Sequence, residues 1–401
     1  MEQTGKKVLF IVSSLNFGGA QKVISNITTS LPDCYDIDIL LNSDADIEYP
    51  YKGKIYSLDF KEPKSREGIW YQFKVFCRRL KVIKKLKKEN HYDTVVSILT
   101  SANVANVLCK TPDCKSVITE VIMPSENPSF KEKYIVGGVT TMFYNKADVV
   151  VAETKAMGDN LVKNHKVDPK KIALIPNSIS VQGINNQADK ELTEEEKKIF
   201  TIENTFVTAG RMQYQKAHWH LIRAFSRVAE KNPEAKLVIF GEGELRSMLE
   251  ELVQAYHLEK NVFLKGFTNE LDKYVAKCRA FVFPSMFEGM PTALLQAMAV
   301  GTPCLITDFY SGAREVLGDE NTPTEHITGI LYTKWGIMSP VCSGKYLTAD
   351  VPLEREEELF AKVMTEMLES DELRQKYSEA GNKRSYDFDN GTVIKKWMEV
   401  I

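Results

Sequence analysis

Short apolar runs alternate with amphipathic segments along nearly the whole chain. Eleven runs of four to seven residues are rich in Val, Ile, Leu and Phe, and segments with helical hydrophobic spacing separate most of them. The predicted strands are residues 7–13, 37–41, 94–98, 116–119, 149–152, 172–176, 205–209, 236–240, 262–265, 280–283 and 304–307. Such alternation predicts parallel sheets flanked by helices, and therefore an α/β protein.

Both halves of the chain open in the same way, with a strand, a glycine turn and an amphipathic helix. The first half has Asn16-Phe17-Gly18-Gly19 before a helix at 20–31, and the second has Gly210-Arg211 before a helix near 218–231. We therefore expect two Rossmann-like domains that face a cleft, with ligands at the carboxyl ends of the strands. The predicted domains are residues 1–185 and 186–390, and the polar stretch 178–196 is interpreted as a linker leading into an exposed segment.

Length and charge agree with two domains that have different partners. The chain has 401 residues, which is typical of two domains. Residues 1–190 carry 27 basic and 21 acidic side chains, whereas the remainder carries 25 and 33. The net charge of −2 argues against a nucleic-acid-binding protein held by bulk charge.

Targeting and cysteine patterns favour a soluble, cytoplasmic protein. The seven cysteines form no CxxC pair, which favours free thiols in a reducing compartment over a disulfide framework or a zinc site. The apolar run 8–12 is too short for a secretory leader, and the uncharged stretch 289–307 is interrupted by glycines and prolines.

The stretch 283–296 carries the strongest chemical signal. A predicted strand ends at Pro284, Glu288 lies at the turn, and Gly289-Met290-Pro291-Thr292 opens a helix. Amides at that helix start favour an anion. Alone, Glu288 could equally be a carboxylate that complements the helix dipole.

Two cations follow the first strand of the second half. Arg211 and Lys216 share one loop, and two cations beside a helix start suit a diphosphate, although either alone could be a solvated surface charge. The Gly241-Glu242-Gly243 turn is a weaker signal, because a plain strand–helix turn explains it equally well.

Together these motifs resemble the family 4 glycosyltransferases, of the type that assembles bacterial polysaccharides and lipid-linked oligosaccharides. The resemblance rests on Gly210-Arg211…Lys216, on the Gly241–Gly243 turn, on Glu288-Gly289-Met290-Pro291 and on the opening 14–21, and it spans roughly residues 6–400. It implies the GT-B fold, with a last helix (391–401) that crosses back to the first domain.

The resemblance also implies the roles of these residues. Arg211 and Lys216 would neutralise the departing diphosphate, and Glu288 would contact the donor sugar. The remaining donor-binding residues implied are Gly18, Gly19, Gly241, Gly243, Phe267, Gly289, Met290, Pro291, Thr292 and Gln296. The family has a second glutamate where this chain has Gln296, so we expect altered nucleotide binding and predict that Gln296→Glu tightens it.

A glutamate at the end of a strand in the first half has two interpretations. Thr119-Glu120-Val121 resembles the family's Ser/Thr-Glu-His or Ser/Thr-Glu-Arg, with valine replacing the basic residue, which implies that Glu120 lies on the acceptor side. It could instead cap a nearby helix, and Glu126 is the reserve candidate. His91, His165 and His218 are interpreted as surface or loop residues.

No metal site is predicted. The Asp36–Asp38 and Asp387–Asp389 pairs have the Asp-x-Asp spelling of a metal motif, but their positions favour structural roles. Arg211, Lys216 and helix amides could supply the electrostatic stabilisation instead of a metal ion. The transferase is expected to work without metal or cofactor.

Residues 69–88 predict a basic amphipathic helix. Ile69, Phe73, Phe76, Leu80 and Ile83 form an apolar stripe, and eight Lys or Arg lie between 74 and 88. A flanking line of cations at helical spacing consists of Lys74, Arg78, Lys81, Lys85 and Lys88. A solvated helix face is the ordinary explanation, but this density suits an anionic membrane surface or a lipid-linked diphosphate.

The expected function is retaining, metal-independent transfer of a sugar, from a UDP-hexose or UDP-N-acetylhexosamine, to a hydroxyl of a lipid-linked glycan. The enzyme would act at the cytoplasmic face of the membrane; the retaining outcome and the donor class come from the resemblance alone. The alternatives are a silent nucleotide-binding subunit and a 2-epimerase on the same fold. A dehydrogenase is disfavoured because neither glycine turn matches the dinucleotide fingerprint.

Overall fold

The chain folds into two compact α/β units. The computed structural model describes residues 5–16, 18–45, 47–60, 69–121, 136–309 and 311–401, with only the backbone of residue 69. The first unit comprises Met1–Ser178 together with Asn390–Ile401, and the second comprises Ile179–Asp389. The structure thus places the change of unit at Ser178, whereas the sequence placed it after residue 185.

The first unit contains a seven-stranded parallel sheet in the order β3-β2-β1-β4-β5-β6-β7. Its strands are β1 (Lys7–Ile11), β2 (Asp36–Leu41), β3 (Lys54–Ser57), β4 (Thr94–Ile98), β5 (Lys115–Glu120), β6 (Val149–Ala152) and β7 (Ile172–Leu174). Its first helices are α1 (Gly19–Ser30), α2 (Ile69–Asn90), α3 (Thr100–Leu108), α4 (Gly137–Phe143) and α5 (Lys155–His165). The central strands are buried on both faces, which explains their uninterrupted apolar runs.

The second unit contains another seven-stranded sheet, in the order β10-β9-β8-β11-β12-β14-β13, and only β13 runs antiparallel to its neighbour. Its strands are β8 (Thr205–Ala209), β9 (Lys236–Phe240), β10 (Val262–Lys265), β11 (Ala280–Phe283), β12 (Cys304–Thr307), β13 (Leu331–Tyr332) and β14 (Ile337–Ser339).

Nine helices are described in the second unit. They are α6 (Val181–Ala188), α7 (Glu194–Lys197), α8 (His218–Lys231), α9 (Arg246–Ala255), α10 (Leu271–Val275), α11 (Thr292–Ala299), α12 (Gly312–Leu317), α13 (Arg355–Glu369) and α14 (Asp371–Ser385). The strand order reverses between β8 and β11, and such a switch point leaves an opening for a ligand at the carboxyl ends of the strands.

The predicted linker is wrong. Residues 178–196 form α6 and lead into α7, and Val181, Ile184 and Leu192 are buried in the core of the second unit. Ser180 caps α6 by accepting a hydrogen bond from the amide of Gly183. The polar residues of this stretch lie mainly on its outer face. For this reason the short amphipathic helix α6 was not recognised from the sequence.

The last helix, α15 (Asn390–Val400), belongs to the first unit and packs on α1. Trp397 and Ile401 are buried in the same core as β1, and the Lys6 ammonium donates to the Ile401 carbonyl at 2.6 Å. The expectation that the final segment returns to the first domain is confirmed.

Candidate active site

The loops after β8 and β11 lie together at the switch point of the second sheet. The amide of Met286 donates to the carbonyl of Gln215 at 2.9 Å, and the Gln215 side-chain amide donates to the carbonyl of Phe287 at 2.7 Å. These two bonds join the loop that carries Lys216 to the loop that carries Glu288. Gln215 was not predicted from the sequence, because nothing in its spacing marks it.

Lys216 and Glu288 form the central ion pair of this site. Lys216 Nζ lies 2.7 Å from Glu288 Oε1, and the two side chains are only 15% and 11% exposed. The ammonium also lies 4.6 Å from the centre of the Phe283 ring, a favourable cation–π distance. An ion pair between two largely buried side chains is screened less by solvent than a pair on the surface.

Arg211 extends the positive charge towards solvent. Its side chain is exposed, and no ion pair joins it to an acidic group within the described parts of the chain. An exposed guanidinium beside a shielded ammonium offers two cations to one anionic ligand, and planar guanidinium groups bind phosphate oxygens in pairs.

The glycine turn after β9 packs against the Arg211 loop. The Met212 amide donates to the Glu242 carbonyl at 2.9 Å. A Cβ at Gly241, which has φ +140°, would lie 2.1 Å from the Gly210 carbonyl oxygen, and one at Gly243 would lie 2.3 Å from that of Met212. Both glycines therefore permit close backbone packing.

The predicted helix start at 289–292 is confirmed as local structure. Pro291 is the residue before α11, and Met290 is buried. A Cβ at Gly312 would lie 1.9 Å from the Gly289 carbonyl oxygen, so α12 approaches this turn closely.

Phe267 follows β10 and is 56% exposed, and its neighbour Gly266 accepts a hydrogen bond from the Gly241 amide at 3.2 Å.

Gln296 has a partner that the sequence did not indicate. Its side-chain amide donates to Asp272 Oδ1 at 2.7 Å, and Asp272 on α10 is only 5% exposed. The residue that replaces the family's second glutamate is thus hydrogen-bonded to a carboxylate from another helix.

His218 and His165 are buried, so the surface interpretation of these two histidines is wrong; His91 is exposed, as expected. His218 follows Lys216 by two residues and is 2% exposed, and neither ring nitrogen has a hydrogen-bond partner in the part of the chain that the structure describes. Burial, assisted by the positive charge of Lys216, lowers the pKa of His218 to about 3. The imidazole is therefore neutral at physiological pH.

In the first unit, the two predicted glycines open α1 after β1, beside the switch point between β1 and β4. Among the described residues, no side chain caps this helix and no atom lies within 4 Å of a Cβ built on Gly19. A Cβ on Gly18 would lie 2.3 Å from Gln21 Oε1. Phe17 lies outside the described residues.

Glu120 ends β5 and is 2% exposed. The Tyr144 hydroxyl donates to one carboxylate oxygen at 2.5 Å, and the Val121 amide donates to the other at 3.0 Å. Burial, together with the negative charge of Glu120, raises the pKa of Tyr144 well above its usual value. The acceptor-side role of Glu120 stays a prediction, and the reserve candidate Glu126 lies outside the described residues.

The basic line on α2 is exposed over its whole length. All five cations of this line are exposed, namely Lys74, Arg78, Lys81, Lys85 and Lys88, and so is Lys84 beside it. Arg78 lies 3.3 Å from Asp59, and Lys85 lies 3.9 Å from Glu89. Two other cations of the helix, Arg79 and Lys87, are buried and bond to internal oxygens, which reduces the outward charge from eight residues to six.

The predicted apolar stripe of α2 is wrong at its first turn. Phe73 is 58% exposed, and its ring centre lies 6.4 Å from that of Trp70, which is 75% exposed. Val75, Ile83 and Leu86 instead face the core. The buried face is thus rotated from the expected stripe and includes Arg79, whereas Phe76 and Leu80 are only partly buried against the same core. The side chain of Ile69 lies outside the described residues.

The Asp-x-Asp pairs have internal partners. Asp38 accepts from the Tyr92 hydroxyl, and Asp389 accepts from the Val181 amide at 3.0 Å.

Within the described ranges, His220, Glu354 and Glu357 form a group whose ligand atoms lie within 4.8 Å of one another. His220 and Arg223 already bond to Glu357, so this group is a satisfied polar network.

None of the described helices is both long enough and apolar enough to cross a lipid bilayer.

Two family models match the chain. "Glycosyltransferase Family 4" matches residues 17–182, and "Glycosyl transferases group 1" matches residues 189–334.

Similar proteins are known from bacteria and archaea. The chain is 30% identical over 351 residues to glycosyltransferase MJ1059 of Methanocaldococcus jannaschii, covering 84% of this chain and 86% of that protein. It is 30% identical over 405 residues to the N-acetylgalactosamine-N,N'-diacetylbacillosaminyl-diphospho-undecaprenol 4-alpha-N-acetylgalactosaminyltransferase of Campylobacter jejuni, covering 99% of both chains.

Solved structures show the same fold. The Anabaena protein Alr3699/HepE in complex with UDP superposes with a TM-score of 0.72 at 15% identity, covering 98% of both chains. Each of the two α/β units has a parallel or mainly parallel sheet, as expected from the sequence. The two relatives at 30% identity match 84% and 99% of this chain. The chain is therefore a glycosyltransferase of the family 4 type, with the GT-B fold.

Proposed function

We propose that this enzyme transfers a sugar from a UDP-sugar, a UDP-hexose or UDP-N-acetylhexosamine, to a hydroxyl of a lipid-linked saccharide. We further propose that transfer retains the anomeric configuration and needs no metal ion. The observation that carries the proposal is the Lys216–Glu288 pair, which lies at the switch point of the second sheet, with Arg211 in the same loop as Lys216. The names of the relatives support the substrate class, since one of them acts on a diphospho-undecaprenol saccharide.

The chemistry follows from the charges. Breaking the bond between the sugar and the diphosphate leaves negative charge on the diphosphate, and two cations held in advance stabilise it more than mobile solvent does. Arg211 and Lys216 would take this role, with the amides of Gly289, Met290 and Thr292 beside the phosphates. Glu288 would orient sugar hydroxyls while it holds the Lys216 ammonium in place.

A nucleotide screen tests the donor site. Thermal unfolding is measured with UDP, GDP, ADP and NAD, each with and without a chelator. A ligand at 100 times its Kd stabilises by about 2.7 kcal/mol, which raises Tm by a few degrees. A selective shift with UDP that survives the chelator is expected. Absence of any nucleotide shift would contradict the proposal and favour the silent subunit.

Turnover separates the enzyme from its alternatives. Arg211→Gln and Lys216→Gln should each lower transfer to a lipid-linked acceptor at least tenfold, whereas a scaffold would be indifferent. A 2-epimerase would convert the UDP-sugar without any acceptor, so product analysis with and without acceptor distinguishes it.

The exposed cations of α2 support a site of action at the cytoplasmic membrane face. Each cation near an anionic surface contributes about 1 kcal/mol of binding. Replacing Lys74, Arg78, Lys81 and Lys85 by Gln should abolish binding to vesicles that contain anionic lipid. The matched control replaces four exposed cations elsewhere, Lys260, Lys383, Lys395 and Lys396. Undiminished vesicle binding by the first variant would overturn this part of the proposal.

A further inference from the structure

A long irregular loop lies between β14 and α13. Residues 340–354 contain neither helix nor strand, and β14 pairs with β12 in the second sheet. Irregular loops of this length are uncommon inside compact domains, and ordered ones usually serve a function.

Side chains of α8 hold this loop from within the protein. The Trp219 indole nitrogen donates to the Lys345 carbonyl at 2.9 Å, and the Gly344 amide donates to His220 Nε2 at 3.2 Å. Trp219 and His220 are each 1% exposed. The helix α8, which begins two residues after Lys216, therefore fixes the loop.

A buried guanidinium completes the attachment. Arg223 is fully buried and donates to the carbonyls of Thr348 and Pro352, the latter at 2.9 Å. Its charge is balanced by Glu357 at 2.8 Å, to which His220 Nδ1 also donates at 2.6 Å. A buried network with all these groups satisfied keeps a loop in one conformation.

The loop presents one aromatic side chain to solvent. Tyr346 is 53% exposed, yet its ring centre lies 4.8 Å from that of Trp219 and 5.8 Å from that of Tyr214. Tyr214 precedes Gln215 and Lys216 in the loop that contacts Glu288. The exposed ring of Tyr346 is thus held in a fixed position. It packs on Tyr214, which belongs to the loop that carries Lys216.

We propose that Tyr346, backed by Tyr214 and Trp219, is a stacking subsite for a pyranose ring. The C–H groups on one face of a sugar ring carry partial positive charge, and an aromatic face carries partial negative charge, so the two attract. A ring that is already fixed loses little conformational entropy on binding. The sugar belongs either to the UDP-sugar donor or to the saccharide acceptor.

This inference rests on the proposed function and extends it with a new contact. The test compares Tyr346→Ala, Tyr346→Leu and Tyr346→Trp with Tyr386→Ala, because Tyr386 is also 53% exposed but lies next to α14. Kd for UDP is measured together with KM for donor and acceptor. The Ala and Leu variants should raise one of the two KM values about tenfold and leave Kd for UDP unchanged. Tyr346→Trp and Tyr386→Ala should resemble the natural protein.

The two sources of the sugar give different results. If the ring belongs to the donor, KM for the UDP-sugar rises; if it belongs to the acceptor, KM for the lipid-linked saccharide rises. Unchanged values of both in Tyr346→Ala and Tyr346→Leu would overturn the subsite.

A second measurement needs no turnover. In saturation-transfer NMR with methyl α-glucoside and methyl α-N-acetylgalactosaminide, the natural protein should saturate sugar ring protons and Tyr346→Ala should not. Equal saturation in both proteins, or none in either, would also overturn the subsite. Failure of the natural protein to bind UDP would instead count against the proposed function and leave this measurement decisive for the subsite.

Discussion

Lys216 Nζ lies 2.7 Å from Glu288 Oε1, so the cation expected to meet a diphosphate already has a carboxylate partner. The two substitutions that break this pair should therefore have opposite effects on UDP binding. Glu288→Gln releases the ammonium for the phosphates and should tighten UDP about tenfold while turnover falls. Lys216→Gln leaves a shielded carboxylate beside the ligand and should weaken UDP by at least that factor.

Calorimetric titration with UDP measures both variants, and kcat is determined in parallel. The control is Glu230→Gln, whose exposed carboxylate pairs with Arg227 at 2.6 Å on α8, and it should leave kcat unchanged. Changes of UDP affinity in the same direction for both variants would contradict an electrostatic coupling through this pair.

The Gln296→Glu change illustrates how a neighbouring residue alters a prediction. From the sequence alone this change should tighten nucleotide binding. In the structure the new carboxylate would lie within hydrogen-bond distance of the buried Asp272, where two like charges repel. We therefore expect Gln296→Glu to lower the free energy of unfolding by about 1–3 kcal/mol at neutral pH.

The double variant Gln296→Glu with Asp272→Asn restores a donor–acceptor pair and should recover most of that stability. Urea unfolding measures the natural protein and both variants. Gln296→Glu as stable as the natural protein would show that Asp272 does not constrain this position.

Gly19 offers a substitution that separates stability from binding. A Cβ there meets no atom of the described parts of the chain within 4 Å, and the same holds for Gly138 in α4. Alanine is the better helix former, so both Gly19→Ala and Gly138→Ala should keep or slightly raise Tm. Only Gly19→Ala should lower turnover, about tenfold, because its methyl group enters the space before the first turn of α1. Equal turnover in the two variants would exclude Gly19 from the donor site.

The buried His218 predicts a loss of stability in mild acid. Its pKa in the folded protein is about 3, below the value near 6.5 of an unfolded histidine, so only the unfolded chain takes up a proton between these values. Stability is complete above about pH 6.5 and falls as pH decreases towards 3, with a loss of about 2 kcal/mol at pH 5.

Urea unfolding at pH 7.5 and pH 5 tests this prediction. His218→Leu removes the titrating group and should reduce the difference in unfolding free energy between the two pH values. His326→Gln is the control, since the His326 side chain is 62% exposed. The prediction fails if His218→Leu keeps the pH dependence of the natural protein.

The apolar runs predicted most of the fold because strands buried on both faces contain little else. Three strands were not predicted. The edge strand β3 has polar residues at both ends, and β13 and β14 are only two and three residues long. Local motifs also singled out Arg211, Lys216 and Glu288, and the structure brings Lys216 and Glu288 into contact, while their catalytic roles stay a prediction. Asp272 and Tyr346 could not be predicted, because their importance comes from contacts with residues distant in the chain.

The order of synthesis sets a limit on how this protein assembles. Ile179 and Asp389, the ends of the second unit, are paired, and the Ile179 amide donates to the Phe388 carbonyl at 3.0 Å. The second unit is thus an insertion in the chain of the first unit, and its two ends meet within its own fold. The first unit, although most of it is made earlier, must wait for Trp397 and Ile401 to fill its core. A chain that ended at Asp389 would therefore contain every residue of the second unit, whereas the surface of α1 that packs on α15 would be uncovered.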